Sequence, residues 1–158
     1  MQTIREWTRA GIGCAMALMS FVAVSASPAV SPAGTPPAPA ASAAEHYKVV
    51  VHVGDAEPAK WTVALNNVAN LQNEIGAANI DIEVVAINAG LGMLKVDSPV
   101  GGRVAEALKS GVTIVACENS MRGQKLSRDD MLNDIGYVKA GVVELMERQR
   151  QGYAYIRP

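Results

Sequence analysis

The segment IDIEVVAI, residues 80–87, decides how this chain folds. It begins with apolar and acidic side chains in alternation and then runs apolar to its end. Such a run is typical of a β-strand that is covered on both faces, as in a parallel sheet. A glycine stands shortly before it and a glycine-rich segment follows it, and both mark the ends of neighbouring elements. The segment therefore predicts a buried strand of an α/β protein.

Strand and helix patterns alternate on both sides of this segment. Upstream, a helix is predicted to begin at Pro58, where a missing N–H costs nothing, and to end at Gly76. Downstream, Ser98 as N-cap and Pro99 as first helical residue predict the next helix. Further helices are predicted over residues 120–126 and after Gly141, with a capped turn at Ser127 and Asp130 between them. The five predicted strands cover residues 47–53, 80–87, 112–117, 137–138 and 153–156.

This alternation predicts the fold class. Strands that alternate with helices form a three-layer α/β/α sandwich around a mostly parallel five-stranded sheet, as in flavodoxin-like and Rossmann-like proteins. The apolar positions of the predicted strands and helices should meet in its core. The predicted core residues are Val49, Val51, Trp61, Leu65, Val84, Val104, Leu108, Ile114 and Val115.

Residues 1–26 have the composition of an export signal. Arg5 and Arg9 precede an uncharged apolar run over residues 11–24, and small residues lead up to Ala26. This order predicts a secretory signal peptide that is cleaved after Ala26, a periplasmic destination, and no membrane insertion after processing. The apolar run is shorter than the roughly 20 residues that a spanning helix needs, although a retained anchor stays an alternative.

Residues 27–44 form a Pro/Ala-rich linker. They hold five of the eight prolines of the chain, and they offer little apolar surface that folding could bury. A second possible cleavage point after Ala43 would remove this linker from the mature protein. The folded domain is therefore predicted to cover residues 45–158, which is long enough for one core of ordinary size.

Charge and composition exclude several classes of function. The net charge of the 158-residue chain is −1, and neither a basic stripe nor a series of aromatic residues interleaved with arginine is present. We therefore expect no nucleic-acid partner. The histidines, cysteines and carboxylates show no metal-ligand spacing, so neither a metal nor another cofactor is predicted.

Cys117 is the strongest candidate for chemistry. It is the single cysteine outside the leader, because Cys14 lies in the apolar run, and it ends the predicted strand 112–117. Ligands bind at the carboxyl ends of strands in open α/β sheets. A lone thiol there is either a small buried apolar residue or a reactive nucleophile, and the residues alone leave both interpretations open.

A reactive Cys117 needs neighbours that lower its pKa. Asn119 and Ser120 are candidate caps of the next helix, and that helix start would bring N–H groups near the sulfur. Arg122 and Lys125 follow one turn later and are expected to add positive charge.

The segment NAGLGML, residues 88–94, follows the neighbouring strand. We expect Gly90, Gly92 and Met93 to form the wall opposite Cys117 and to let a small molecule approach. Two other interpretations stay open. Gly-Leu-Gly matches part of a dinucleotide-binding fingerprint but lacks its third glycine, and a tight turn that needs a positive φ is the plain structural alternative.

Several strings in the folded part resemble the DsrE/DsrF-like proteins. They are PAKW at 58–61, ALNN at 64–67, GLGML at 90–94, VACENSM at 115–121, GYV at 136–138, AGVVEL at 140–145 and GYAYIRP at 152–158. The resemblance extends over residues 47–158 and implies a DsrE-like α/β fold. Well-studied members are cytoplasmic sulfur-relay proteins that form trimers or hexamers and carry sulfur as a persulfide on a cysteine. Cys117 matches that cysteine by position.

Together with the predicted signal peptide, the resemblance implies a periplasmic sulfur carrier or sulfurtransferase-type protein that uses Cys117 as persulfide carrier. Asn119, Ser120, Gly90, Gly92 and Met93 would then bind the substrate. It also implies a homo-oligomer, either a trimer or a hexamer. The partners of the cytoplasmic members do not carry over to an exported protein, and we expect a thiol protein or a small sulfur compound as partner. The alternative is a non-catalytic oligomeric module that binds a small ligand or partner and whose cysteine is structural. Tyr153 and Tyr155 occupy alternate positions of the last predicted strand, which fits an edge strand or a subunit contact.

Overall fold

The computed structural model describes residues 46–158, and these form one parallel sheet with helices on both faces. The strands are β1 (Tyr47–Val53), β2 (Ile80–Ala86), β3 (Thr113–Cys117), β4 (Gly136–Val138) and β5 (Ala154–Ile156). The α-helices are α1 (Pro58–Ile75), α2 (Gly101–Lys109), α3 (Glu118–Gly123) and α4 (Gly141–Arg150). Three short 3₁₀ segments cover Ala77–Asn79, Asn88–Leu94 and Arg128–Asp130. The predicted signal peptide and linker lie outside the described residues.

The strand order is β4-β3-β2-β1-β5, and all four neighbouring pairs are parallel. Strand β2 is the central strand of the sheet, and it is buried from Ile82 to Ala86, as its apolar run predicted. Ala86 of β2 lies beside Val53 of β1 and Ala116 of β3, so these three strands end at one edge of the sheet. The predicted α/β/α sandwich is thereby confirmed, and β5 is an edge strand.

The two faces of the sheet are covered unequally. On one face, α1, α2, α3 and the segment Asn88–Leu94 enclose the larger core of 22 buried residues. On the other face, α4 covers a small cluster made of Val50, Val85, Ile87, Val115, Cys117 and Leu145. Eight of the nine predicted core residues are buried, and Leu108 packs partly buried against the larger core.

Helix α4 is also held to the sheet by ion pairs. Glu83 of β2 is buried, and the Nε of Arg148 lies 2.7 Å from its Oε2 and 2.9 Å from Oε1 of Glu144. Burial raises the pKa of Glu83 to about 7, and the nearby Glu144 carboxylate adds to this rise although Arg148 opposes it. Two carboxylates therefore share one guanidinium beneath α4.

Helix ends follow the sequence in part. Helix α1 begins at Pro58 and ends at Ile75, and Gly76 is its C-cap residue, whose φ of +88° suits a residue without a Cβ. Ser127 and Asp130 form the predicted reciprocal cap. The predicted start of α2 at Pro99 is wrong. The Ser98 carbonyl accepts a hydrogen bond from the Gly101 N–H at 3.1 Å, which closes a turn, and the helix begins only at Gly101.

The third helix also differs from the prediction. It covers Glu118–Gly123 instead of residues 120–126, because β3 runs directly into it and Cys117 is its N-cap residue. Lys125 adopts a left-handed conformation, with a φ of +57°, just after the helix. Within the described residues, none of the helices has both the length and the apolar character that a membrane span requires.

Candidate functional site around Cys117

Cys117 lies at the junction of β3 and α3, at the carboxyl edge of the sheet. Its side chain faces α4 and packs in the small cluster with Ile87 and Leu145, and only 4% of the residue is exposed. As N-cap residue it stands at the positive end of the α3 dipole. The position combines burial with a local field that favours an anion.

The pKa of the Cys117 thiol reflects both influences. Burial raises it, but the Ser120 hydroxyl and the N–H groups of Gly141, Ser120 and Asn119 together hold it below the ordinary value. The Gly141 N–H donates to Sγ at 3.2 Å. The Cys117 side chain makes no cap hydrogen bond to α3, and the Asn119 N–H also donates to the Lys139 carbonyl oxygen at 3.2 Å. A thiolate is therefore stabilised by neutral donors.

Gly141 makes the contact with Cys117 possible. A Cβ at this position would lie 2.2 Å from Cγ2 of Ile87 and 3.2 Å from Cβ of Cys117. Any side chain here would push α4 away from the sheet and withdraw the N–H from the sulfur. The close approach of the α4 backbone to β2 and β3 thus places the donor.

Ser120 connects Cys117 to the segment after β2. Its Oγ accepts a hydrogen bond from the Asn88 N–H at 2.9 Å, while the Asn88 carbonyl accepts one from Nε2 of Gln124 at 2.6 Å. Asn88 has a left-handed backbone, with a φ of +48°. These two contacts tie the start of the segment Asn88–Leu94 to α3.

An open cleft of about 450 Å³ lies between these two elements. Its lining is mainly small and amide side chains, namely Asn88, Ala89, Asn119, Ser120, Gly123 and Gln124. Ser120 therefore borders the cleft and also acts on the sulfur of Cys117. The cleft offers hydrogen-bond donors and acceptors to a small polar molecule.

The predicted site residues are only partly brought together. Asn119 and Ser120 lie in the first turn of α3 beside Cys117, as expected. Met93 is fully buried in the larger core, and a Cβ at Gly92 would lie 2.7 Å from the Trp61 ring. A Cβ at Gly90 would lie 2.2 Å from the Val53 carbonyl oxygen. The glycines and Met93 thus pack against the core, and Asn88 and Ala89 face α3 in their place.

Two expectations about this segment and its neighbours are corrected. Gly90 and Gly92 do not have positive φ values, so close packing against Val53 and Trp61 explains them, whereas the tight-turn interpretation does not. The charges of Arg122 and Lys125 are not the main influence on Cys117, because hydrogen-bond donors dominate the lowering of its pKa. Arg122 instead bonds the Asn119 side chain.

Gly141 and Asn88 were missed by reasoning from the sequence. Asn88 follows β2 directly, so its place at the carboxyl edge was a usable signal. For Gly141 the sequence offers no such signal, because its closeness to Cys117 depends on how α4 crosses the sheet. Among residues 46–158, no group of three His, Cys, Asp or Glu side chains is arranged to hold a metal ion.

Comparison with known proteins identifies similar sequences and folds. The sequence model of the DsrE/DsrF-like family matches residues 20–158. A protein of unknown function from Methanobacterium thermoautotrophicum, MTH1491, is 36% identical with a TM-score of 0.68, and the match covers 71% of this chain and 99% of that one. No curated protein matches this chain significantly.

Two further solved structures share the fold at low identity. The ychN protein from E. coli is 14% identical with a TM-score of 0.59, covering 71% of this chain and 99% of that one. The protein BT1422 of unknown function from Bacteroides thetaiotaomicron is 19% identical with a TM-score of 0.57, and the match covers 75% of this chain and 99% of that one. At these identities the likeness concerns the fold alone.

Proposed function

This chain belongs to the DsrE/DsrF-like family, and we propose that it carries sulfur as a persulfide on Cys117. The family suggests a sulfur-relay type of role. The observation that carries the finer proposal is the set of neutral donors around Sγ, which lowers the pKa of this thiol although the residue is 4% exposed. The thiolate is the nucleophilic form of cysteine, so this environment supports attack by the sulfur.

The proposed transfer is a pair of thiol exchange steps. The Cys117 thiolate attacks the outer sulfur of a persulfide or polysulfide donor, a new sulfur–sulfur bond forms, and the donor leaves as a thiolate. The thiolate of a partner protein or of a small thiol then attacks the outer sulfur of the Cys117 persulfide. Cys117 leaves as a thiolate and is regenerated. Neither step needs an external oxidant or reductant.

The donors around Sγ suit this chemistry. Cys117 is a thiolate both when it attacks the donor and when it leaves the persulfide. The Gly141 N–H and the Ser120 hydroxyl lower the pKa of Cys117 and so favour this thiolate in both steps. The open cleft bordered by Ser120 and Asn88 is the proposed approach for a small sulfur compound.

The alternative is a binding module with a structural cysteine, and the burial of Cys117 favours it. A mass measurement on the full chain separates the two. Polysulfide treatment of the native protein should add about 32 Da, one sulfur atom, to the peptide that contains Cys117. The matched Cys117→Ser variant should gain nothing at this peptide, and dithiothreitol should remove the added mass. Modification of Cys117 only after denaturation would establish the binding module.

We also propose that the protein is exported and self-associates. The basic start and apolar run of the leader support a periplasmic location.

Helix α4 supports self-association, because three apolar residues form an exposed stripe on its outer side. They are Val142, Val143 and Met146, which are 65%, 48% and 51% exposed, respectively. Such a stripe on a surface helix is typical of an interface with another molecule. A closed trimer or hexamer of this chain would bury it.

A further inference from the structure

Helix α4 is held to the sheet by few apolar contacts. Of its ten residues only Gly141 and Leu145 are buried, whereas Val142, Val143 and Met146 are exposed on its outer side. The cluster to which it belongs has six buried residues, compared with 22 on the opposite face of the sheet. An element with few buried apolar contacts opens locally more often than the rest of a fold. We therefore expect α4 to be the element of this face that opens first.

An ion-pair bridge also attaches α4 to the sheet. The Nε of Arg148 lies 2.7 Å from Oε2 of Glu83 on β2, and only 2% of Glu83 is exposed. The same Nε lies 2.9 Å from Oε1 of Glu144, one turn earlier in α4. Removing one partner of a buried ion pair is strongly destabilising, because the other charge is left without compensation. The bridge from Arg148 to Glu83 therefore opposes the lifting of α4.

Cys117 lies beneath the first turn of this helix. Its Sγ accepts a hydrogen bond from the Gly141 N–H at 3.2 Å, and only 4% of the residue is exposed. The open cleft beside α3 is lined by Asn119 and Ser120, but Cys117 is not among its lining residues. A reagent in this cleft therefore contacts the sulfur only after α4 has moved.

We propose that α4 is a gate over Cys117. It lifts from the sheet by local opening, and the ion pairs of Arg148 with Glu83 and Glu144 set how often the sulfur becomes accessible. The inference rests on the proposed function only in that a sulfur donor would use the same opening. It concerns access to the thiol and does not require that sulfur is transferred.

The test compares the access to Cys117 in variants of the full chain, in a Cys14→Ser background. Arg148→Met removes the guanidinium and keeps an aliphatic side chain. The matched control is Arg150→Met on the same helix, because the side chain of Arg150 is 73% exposed and its ion pair lies at the surface. A second control, Val68→Ala, weakens the larger core under α1 on the opposite face of the sheet. All three variants keep the exposed stripe of α4, so they are compared at one protein concentration.

Two measurements report the opening of α4. The rate at which Cys117 reacts with iodoacetamide is read on its high-pH plateau, where the thiol is fully ionised and its pKa no longer matters. Hydrogen exchange of the α4 amides is followed by mass spectrometry at neutral pH. Arg148→Met should raise both rates by at least about 10-fold, because a buried charge loses its partner.

The controls should leave both rates within about twofold of the parent protein, because an exposed ion pair contributes little to stability. For Val68→Ala the reason is different. This change weakens the closed and the locally opened forms alike, so the balance between them is unchanged.

An Arg148→Met variant that reacts like the parent protein would overturn the inference. An increase of the same size in Val68→Ala would also overturn it, because Cys117 would then be reached through global unfolding. Faster alkylation without faster hydrogen exchange in α4 would have the same meaning. Leu145→Ala removes the one large buried side chain of α4 and should raise both rates as well, so it decides the question if Arg148→Met does not fold.

The sulfur-carrier proposal fails separately. If the variants behave as expected while polysulfide adds no sulfur to Cys117, even in Arg148→Met, the gate stands and the carrier role does not. If polysulfide modifies the parent protein while Arg148→Met changes neither rate, the carrier role stands and the gate does not.

Discussion

The backbone N–H of Gly141 donates a hydrogen bond to Sγ of Cys117 at 3.2 Å, across 24 positions of the chain. The first residue of α4 therefore both covers the sulfur and stabilises its anion. Because the same residue packs against Ile87, the position of α4 on the sheet and the acidity of the thiol depend on one close backbone contact.

Gly141→Ala should destabilise the fold by about 1–3 kcal/mol, as overpacking of a tight core does. Its Cβ would lie 2.2 Å from Ile87, and the displaced N–H should also raise the pKa of Cys117. Urea denaturation and a thiol titration measure the two effects. The matched control is Gly102→Ala in α2, where a Cβ meets nothing within 4 Å and a stabilisation of about 0.5–1 kcal/mol is expected. Equal stability of Gly141→Ala and wild type would contradict the packing.

The alkylation of Cys117 should show a low pH midpoint. Donors around Sγ hold the pKa of Cys117 below the ordinary value. The rate of its reaction with iodoacetamide should therefore reach half its maximum at a pH below about 8.5, which is the pKa of a free cysteine. The burial of the residue should keep the maximal rate below that of a small thiol. A Ser120→Ala variant should shift the midpoint upwards. A wild-type midpoint at or above that of a free cysteine would show that burial outweighs the donors.

Glu83 should make the folded state less stable as the pH rises from about 4.5 to about 7. Its folded pKa is raised to about 7 from 4.5, so the native protein keeps a proton that the unfolded chain releases in this window. The free energy of unfolding should fall here by an amount on the order of 3 kcal/mol. Below the window both states are protonated, and above it both are ionised.

Glu83→Gln should remove this pH dependence of the free energy of unfolding. Chemical denaturation of the variant and of wild type at about pH 4.5, 6 and 8, which spans the window, measures the difference. Glu74→Gln is the matched control, because Glu74 is exposed on α1 and should leave the wild-type slope unchanged. Parallel pH profiles for Glu83→Gln and wild type would show that Arg148 keeps Glu83 ionised throughout.

Val142→Glu and Met146→Glu should shift the protein to smaller species in sedimentation velocity experiments. Both side chains belong to the exposed apolar stripe of α4, and a buried unpaired carboxylate opposes association. Gln149→Glu adds the same charge to an exposed polar position of α4 and should leave the assembly unchanged. A wild-type protein that sediments only as a monomer at micromolar concentration would refute self-association.

The site was predictable from the sequence where it depends on strand ends. Cys117 is the last residue of an apolar strand, and the carboxyl end of a strand in an alternating α/β pattern has a known place. The place of Asn88 at this edge was within reach for the same reason. Gly90, Gly92 and Met93 were misplaced because a glycine in a loop and a glycine pressed against Val53 or Trp61 look alike in a sequence.

The sequence by itself determined the alternation of strands and helices, the burial of β2 and the position of Cys117 at the sheet edge. Periodicity, glycines and prolines are local signals, and parallel pairing with right-handed crossovers leaves few topologies to choose from. Only the tertiary structure decided that α4 crosses the opposite face, so that Gly141 reaches the sulfur and Arg148 reaches Glu83. These contacts join residues far apart in the chain, and packing fixes their distances to a few tenths of an ångström.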